Sequence, residues 1–469
     1  MTKETKTNIQ NYKYKAELTK WTEEKRVKKP KFYLLYSLII LCLAYIVDEI
    51  ASGIFGIIQA DALDNLFPND PNKLTIIMTL ASGVSIFSFL FRTLADKYGR
   101  KPFLYINLFG MATGMFFCFI VPNNLILYII GIIIIFFFTP CDIQVLYIVE
   151  TSSDKRRALN LAFAKAIGVV GISLVSIFRR HISINGWQGV FLIPAIIGLI
   201  VGLLALFFVK ETDVFIDNRI KVLKENLKTS KKLSKQGNTI EEKKNDESGI
   251  IPALKYMFNK KILLWLFLVL FAFSISAVAQ GNYANVLQPE NGIYERMIAD
   301  DYNKVVLMYP VSCAIIIVIN GLISDIFGRK KASIFDTILS ILGIIYFLFG
   351  ARINWNPYAL GLLLGAFIGG YLSGLDTINV ICTEVSPTGM RSSIMSIINV
   401  ANSAGTGLAT GLLLIFRKFI PNFDMSAFLM ILVPPTLAIS LYVLMKKIPE
   451  TKGINFELID AKKKNKGTV

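Results

Sequence analysis

The chain has 469 residues, of which 54% are hydrophobic and only 18% charged, with a formal net charge of +17. The apolar residues come in blocks of twenty or more rather than in alternation, which marks an integral membrane protein, since a spanning helix needs roughly 20 of them. No Gly-x-x-x-x-Gly-Lys phosphate loop and no His-Glu-x-x-His site occurs, and His181 is the only histidine, so an ATP-driven or zinc-dependent enzyme is not expected.

A basic, polar arm, residues 1–31, opens the chain without a cleavable signal pattern. Six apolar blocks follow, near 32–58, 74–95, 102–121, 124–149, 159–178 and 187–209, which form the first half, 32–209. Residues 210–261 are rich in Lys, Glu, Asn and Ser and read as a partly helical linker. Six more blocks, near 262–287, 303–324, 332–350, 357–382, 392–416 and 425–446, form the second half, 262–446, before a basic tail, 447–469. The expected fold is all-α, with twelve transmembrane helices in two six-helix halves. Cations gather in the arm, the linker, the tail and the loops DKYGRK, DKRR, GRKK and TGMR, which places both termini in the cytoplasm and the protein in the plasma membrane. Basic runs beside spans are orientation signals or contacts with lipid head groups, so membrane lipids are expected partners and nucleic acid is not. The five cysteines all lie in or at the ends of spans, with no disulfide or metal spacing, and no cofactor or metal is expected.

The two halves repeat each other. Asp96-Lys-Tyr-Gly-Arg-Lys101 follows span 2 and Asp325-Ile-Phe-Gly-Arg-Lys330 follows span 8; Glu150 and Arg157 recur as Glu384 and Arg391; Glu211-Thr212 recurs as Glu450-Thr451. Phe178-Arg179-Arg180 at the end of span 5 recurs as Phe416-Arg417-Lys418 at the end of span 11, and the offsets run from 229 to 239 in one order. A six-plus-six duplication follows.

These residues resemble the major facilitator superfamily, and within it the sugar-porter-like branch of metabolite transporters. The Asp-x-x-Gly-Arg-Lys loops look like the superfamily's loop motif, Tyr147-x-x-Glu150 with Arg157 is similar to the branch's span 4 ending, and Pro449-Glu-Thr-Lys-Gly453 matches its signature after span 12. The resemblance covers residues 32–453. Arg92 stands where the superfamily usually opens its first loop motif with Gly, whereas the second half keeps Gly321. The branch's Arg and Gly-x-Gly run early in span 4 is replaced by Ile132 to Ile135, and Gln280-Gly-Asn282-Tyr283-x-Asn285 in span 7 only partly matches its sugar contacts. The resemblance implies that Asp96, Arg100, Glu150, Arg157 and Glu211, with Asp325, Arg329, Glu384, Arg391 and Glu450, form ion-pair networks that shut the cytoplasmic side. Static anchoring of helix ends is the alternative. A monomer is the family's default.

Depth singles out a second set. Asp142 lies eight residues inward from Glu150, about 12 Å at 1.5 Å per residue, near the middle of a roughly 30 Å core. Lys165 lies eight residues inward from Arg157 and is expected to face Asp142 and neutralise it. Asp376 has the depth of Asp142, but the position matching Lys165 is Asn399, so Asp376 is expected to be the carboxyl without an internal cation. It is the candidate proton carrier, with Asp142 and Glu49 beside it; the alternative is a carboxylic acid hydrogen-bonded to Asn399 or Asn402. Asp48 and Glu49 in span 1 point about 100° apart, and Asp48 is chosen to face the cavity. Asp48, Lys165, Gln280, Asn282, Tyr283, Asn399 and Asn402 are the candidate substrate contacts. Glycines at 361, 365, 369, 370 and 374 put a smooth stripe on span 10, read as packing rather than hinge. Arg179 and Arg417 at the outer span ends are expected to pair with acidic outer loops; steering anions toward an outer vestibule is the alternative.

The expected function is secondary active transport of a small polar metabolite, a sugar or organic acid, by alternating access and proton symport. Proton-driven export of drugs or organic cations is the rival, which the acids Asp48, Glu49, Asp142 and Asp376 would also suit, and a substrate sensor on a transporter fold is a third class.

Overall fold

The computed structural model describes residues 3–26, 29–67, 71–152, 157–181, 185–235, 250–287, 297–386, 391–420 and 423–452, and among them helices account for nearly everything and strands are absent. In a bilayer every backbone N–H and C=O must be satisfied within its own segment, and continuous helices do that.

Among the described residues, eleven helical segments are long and apolar enough to cross a membrane. The twelfth span, span 2, is divided into Pro71–Val84, a 3₁₀ turn at Ser85–Phe87, and Ser88–Tyr98, so no single piece has the length of a bilayer crossing. The remaining spans are Tyr33–Leu66, Arg100–Ile120, Leu125–Thr151 (span 4), Arg157–His181 (span 5), Leu192–Phe208, Lys261–Leu287 (span 7), Ala299–Phe327 (span 8), Arg329–Arg352 (span 9), Pro357–Val385 (span 10), Arg391–Phe419 (span 11) and Met425–Lys447. Helices Asp213–Lys235 and Ile250–Asn259 occupy parts of the linker, and the basic arm forms a helix from Lys3 to Arg26.

Small residues set the close approaches. A Cβ at Gly361, Gly365 or Gly369 would press on Met308, Tyr309 and Ser312, or Cys313 of span 8, at 2.5 to 3.0 Å, so the smooth face of span 10 is a packing seam. A Cβ at Gly168 would come within 2.9 Å of the Tyr45 backbone, so spans 1 and 5 pack closely there. Between the halves, Gly321 of span 8 lies against Ala162 of span 5, and Ser85 and Ser403 of spans 2 and 11 meet at 3.1 Å. On the far side from the motif loops, Ser173 of span 5 donates to the carbonyl of Leu307 at 3.4 Å, and Gly56 of span 1 faces the Tyr283 ring. The halves therefore touch along both ends of their interface.

The arm helix docks on the linker helix. Trp21 packs edge-on against Phe215, Arg219 clasps Glu17 at 2.7 Å, Lys29 reaches Asp213 at 2.7 Å, and Lys25 pairs with Asp217.

Candidate functional site

Besides span 2, with its 3₁₀ turn at Ser85–Phe87, spans 4 and 7 break at mid-depth, where a proline or a run of small polar residues interrupts them. In span 4 the α-helix stops at Phe138, a 3₁₀ turn covers Thr139–Cys141 with Pro140 inside it, and Asp142 adopts a left-handed conformation (φ 43°, ψ 39°) before a new helix starts at Ile143. Proline has no N–H to continue the ladder, and a non-glycine residue in the left-handed region costs on the order of 1–3 kcal/mol, a cost that clusters at working sites. In span 7 the helix stops at Ser274 and restarts at Ala277, with a second kink at Asn282 (φ −124°, ψ 16°). Broken helices at the midplane are where transporters hold substrates and ions.

Around these breaks four carboxyl groups surround one lysine. Lys165 Nζ sits 2.9 and 3.0 Å from the two carboxylate oxygens of Asp376, which joins span 5 of the first half to span 10 of the second. Glu49 and Asp142 lie within electrostatic reach of that ammonium, and Asp48 lies within reach of Asp142, Glu49 and Lys165. Asp48 and Glu49 are both buried. Gln144 donates to Asp48 Oδ2 at 2.9 Å, while Asp48 Oδ1 has no protein partner.

This corrects the expected pairing. Lys165 bonds Asp376, not Asp142, so the carboxyl expected to lack a cation has one, supplied by the other half. The left-handed turn re-aims the start of the second piece of span 4, and the approach of spans 5 and 10 brings ammonium and carboxylate together. Neither Asn399 nor Asn402 hydrogen-bonds Asp376; Asn399 is half-buried, and the buried Asn402 Oδ1 has no partner. In span 7, Asn282 donates to the carbonyl of Val278 at 2.9 Å and accepts from Asn285 at 3.1 Å, so its amide repairs the kink. Gln280 is half-buried, and the Tyr283 ring packs against Tyr309 at 5.4 Å.

The motif rim is built twice on one plan. Arg100 reaches Glu150 at 3.2 Å, and Thr212 bonds the other oxygen of Glu150 at 2.5 Å. In the second half Arg329 reaches Glu384 at 3.2 Å, and Thr451 bonds its other oxygen at 2.6 Å. Glu211 accepts from the backbone N–H of Lys101 at 3.0 Å, and Glu450 from those of Arg329 and Lys330 at 2.8 and 3.2 Å, so each carboxylate sits at a helix N-terminus where orphan N–H groups and the dipole favour it. Burial nonetheless raises the Glu211 carboxyl above its usual range, with the Lys101, Thr212 and Arg100 backbone bonds opposing the shift. The glycine of each loop motif has a physical cause. Gly99 and Gly328 hold φ of 111° and 108°, and a Cβ there would collide with Glu211 or Glu450.

These networks lie within each half and do not bridge the two. A bridge between the halves at the rim, among the described side chains, is Asp325, which binds Arg329 at 2.8 Å through Oδ1 and accepts from the backbone N–H of Leu159, in the first turn of span 5, at 3.0 Å through Oδ2. The side chains of its counterpart Asp96 and of Arg157 and Arg391 lie outside the described residues, as do those of Arg179 and His181. The outer ion pairs found join Arg352 to Asp424 and Lys304 to Asp300 and Asp301.

A family model for the Major Facilitator Superfamily matches residues 37–410. The chain belongs to that superfamily. It is a multi-pass membrane transporter by family, and its fold is shared with solved structures of a sugar symporter. The proton:xylose symporter XylE bound to 6-bromo-6-deoxy-D-glucose superposes with a TM-score of 0.68 at 15% identity, covering 92% of this chain and 99% of that one. A double tryptophan mutant of XylE gives 0.66 at 16% identity, covering 92% and 98%. The inward-open conformation of XylE from E. coli gives 0.60 at 16% identity, covering 91% and 99%. No curated protein matches the sequence.

Three residues of the transporter's interior escaped the sequence reading. Gln144 holds Asp48, Asn320 of span 8 donates to Thr377 at 2.9 Å, and Asp336 of span 9 is fully buried with Oδ1 accepting from Ser373 at 2.8 Å and Oδ2 unpartnered. The duplication carried a signal for the last: Asp336 lies seven residues after Arg329, as Asn107 lies seven after Arg100, and both are fully buried.

Proposed function

We propose that this protein is a proton-coupled secondary transporter of a small polar metabolite, a sugar or organic acid, acting by alternating access in the plasma membrane with both termini cytoplasmic. The observation that carries this reading is the Lys165–Asp376 ion pair between the halves at mid-depth. An ion pair in that setting holds two bodies together only while both members are charged. A proton on Asp376 cancels the attraction, so proton occupancy and the separation of the halves become one equilibrium. Asp142, Glu49 and Asp48 crowd the same ammonium, and substrate hydroxyls or carboxylates approaching Lys165 compete with Asp376 for it.

Asp48, Gln280, Tyr283, Asn399 and Asn402 are the proposed substrate contacts, with Lys165 shared between substrate and coupling. Asn282 is better read as a structural amide, given its bonds to Val278 and Asn285. At the cytoplasmic rim, Asp325 is the bolt between halves, and the Arg100–Glu150 and Arg329–Glu384 networks hold each half's helix ends in the shape the bolt requires. The two bundles, 32–209 and 262–446, are the moving bodies, and a single chain holds both.

The test begins with purified protein and a thermal-shift screen of sugars, carboxylates and organic cations, which selects the transported probe. In proteoliposomes, Asp376→Asn is expected to abolish pH-gradient-driven accumulation of that probe while leaving counterflow exchange. Undiminished accumulation would remove Asp376 from coupling, and accumulation driven by a sodium gradient alone would remove protons.

A further inference from the structure

Beneath the Lys165–Asp376 pair, on its motif-rim side, lies a small cavity of about 20 Å³. Its polar wall comes from the second half: Asn320 and Ser324 of span 8, and Ser373, Asp376 and Thr377 of span 10. The first half's wall, Ala158, Leu161 and Ala162 of span 5, is wholly apolar, and Ile317 and Val380 of the second half add to the apolar lining. A cavity needs roughly 10–15 Å³ of this kind to hold a water, and the water needs two to four polar partners. Both conditions are met.

Among the lining residues, Asn320 has an unmet hydrogen bond. Its Nδ2 donates to Thr377 Oγ1 at 2.9 Å and faces the Ser373 carbonyl at 3.4 Å. A carbonyl only accepts, so the amide orientation is settled and Oδ1 is the free end. That oxygen is buried and has no protein partner, although Asn320 is only 4% exposed. An orphaned buried acceptor on a residue that lines a water-sized cavity calls for a donor, and water is the donor that fits.

The cavity has a carboxyl group at one end and the bolt at the other. Ser324 accepts from Arg329 Nη1 through its carbonyl at 2.7 Å, and the same nitrogen binds Asp325 at 2.8 Å. Asp325 in turn holds Leu159 of span 5, one residue from the cavity wall at Ala158.

We propose that this cavity holds water that relays the coupling proton between Asp376 and the cytoplasmic rim past Asn320 and Ser324, on a route apart from the substrate's central path. This rests on the coupling role proposed for Asp376. In the release step the Asp376 O–H bond breaks, an O–H bond forms on the cavity water, an excess proton leaves at the rim, and the carboxylate left behind pairs with Lys165. The charged and titratable groups within electrostatic reach of Asp376 are Lys165 from span 5, Asp142 from span 4, Glu49 and Tyr45 from span 1 and Asp336 from span 9, so a single cation holds the charge left by the departing proton. One wall belongs to each half, so parting at the Asp325–Leu159 bolt opens the route to bulk water, and closure narrows it to ordered water.

The test follows the Asp376 carboxyl by infrared spectroscopy of the full chain in lipid, with its C=O band assigned by its loss in Asp376→Asn. Deuterium replaces the acid proton after a switch to D₂O, and the band shift gives the exchange rate. Asn320→Leu, which fills the cavity, is expected to keep the band and slow its exchange about tenfold, equivalent to about 1.4 kcal/mol in a barrier. Ser324→Ala adds no bulk, is expected to slow exchange about threefold, and serves if Asn320→Leu does not fold. A band present in these variants with unchanged exchange rate overturns the route while leaving the coupling role intact. Absence of an Asp376 band from roughly pH 4 to 9 overturns the coupling role and the route together.

Discussion

Removing Lys165 tests whether the two halves are held by one ion pair. The ammonium lies 2.9 Å from Asp376, with the lysine side chain 12% exposed and the aspartate 21%. At an effective dielectric of about 20 the gross attraction is about 6 kcal/mol, most of which offsets desolvation of the two charges. Lys165→Met leaves Asp376, Asp142, Asp48 and Glu49 without their shared cation, and breaking such a pair from one side costs about 3–5 kcal/mol. Asp376→Leu strands the ammonium among three remaining acids, so it is expected to cost less. The double variant removes both charges and is expected to lie within about 1.5 kcal/mol of the wild type, giving a coupling of about 2 kcal/mol or more. Thermal unfolding in detergent reads this as a fall of about 6–10 °C for Lys165→Met, at about 2 °C per kcal/mol for a large domain, and near recovery in the double variant. Additive losses would refute the pair, and a larger coupling of Lys165 with Asp142 than with Asp376 would restore the pairing within one half.

Asp325→Leu removes the acceptor that caps Leu159 and is expected to raise labelling of a cysteine at Ala158 from the rim side about tenfold or more, given about 1.5–3 kcal/mol for a charged hydrogen bond; unchanged labelling would leave Asp325 as an anchor of Arg329 alone. Gly328→Ala, where φ is 108° and a Cβ meets Glu450, is expected to lower stability by about 1–3 kcal/mol, checked by thermal shift, whereas Gly407→Ala in open space should not. Glu211 has a carboxyl raised by burial, so its folded form holds a proton more tightly than its unfolded form. Its contribution to stability is therefore fullest at acid pH and falls as pH rises through the folded value, and the thermal advantage of wild type over Glu211→Gln should shrink from acid to neutral pH; an advantage that grows with pH would contradict the burial effect.

The rim was legible because the duplication printed it twice. Arg100, Glu150, Glu211 and their counterparts occupy equivalent places in both halves, and the structure gives them equivalent bonds. What the repeat did not reveal is that these bonds stay within a half, while Asp325 crosses to the other at the rim. A motif records which residues recur, and the partner of each depends on which helix end packs beside it. Asp336 and Asn320 were passed over for a related reason: a single polar residue in an apolar run looks the same whether it faces lipid, a neighbour or a cavity.

The sequence by itself determined how far along each helix a residue lies, because an α-helix advances a constant 1.5 Å per residue and the apolar blocks set where each crossing starts. That was enough to put Asp142, Lys165 and Asp376 in one layer. Only the tertiary structure decided that Lys165 belongs to Asp376. The rotation of each helix about its axis, the left-handed turn at Asp142 and the approach of span 5 to spans 8 and 10 arise from many weak contacts between the halves, such as Gly321 on Ala162, that no local pattern encodes.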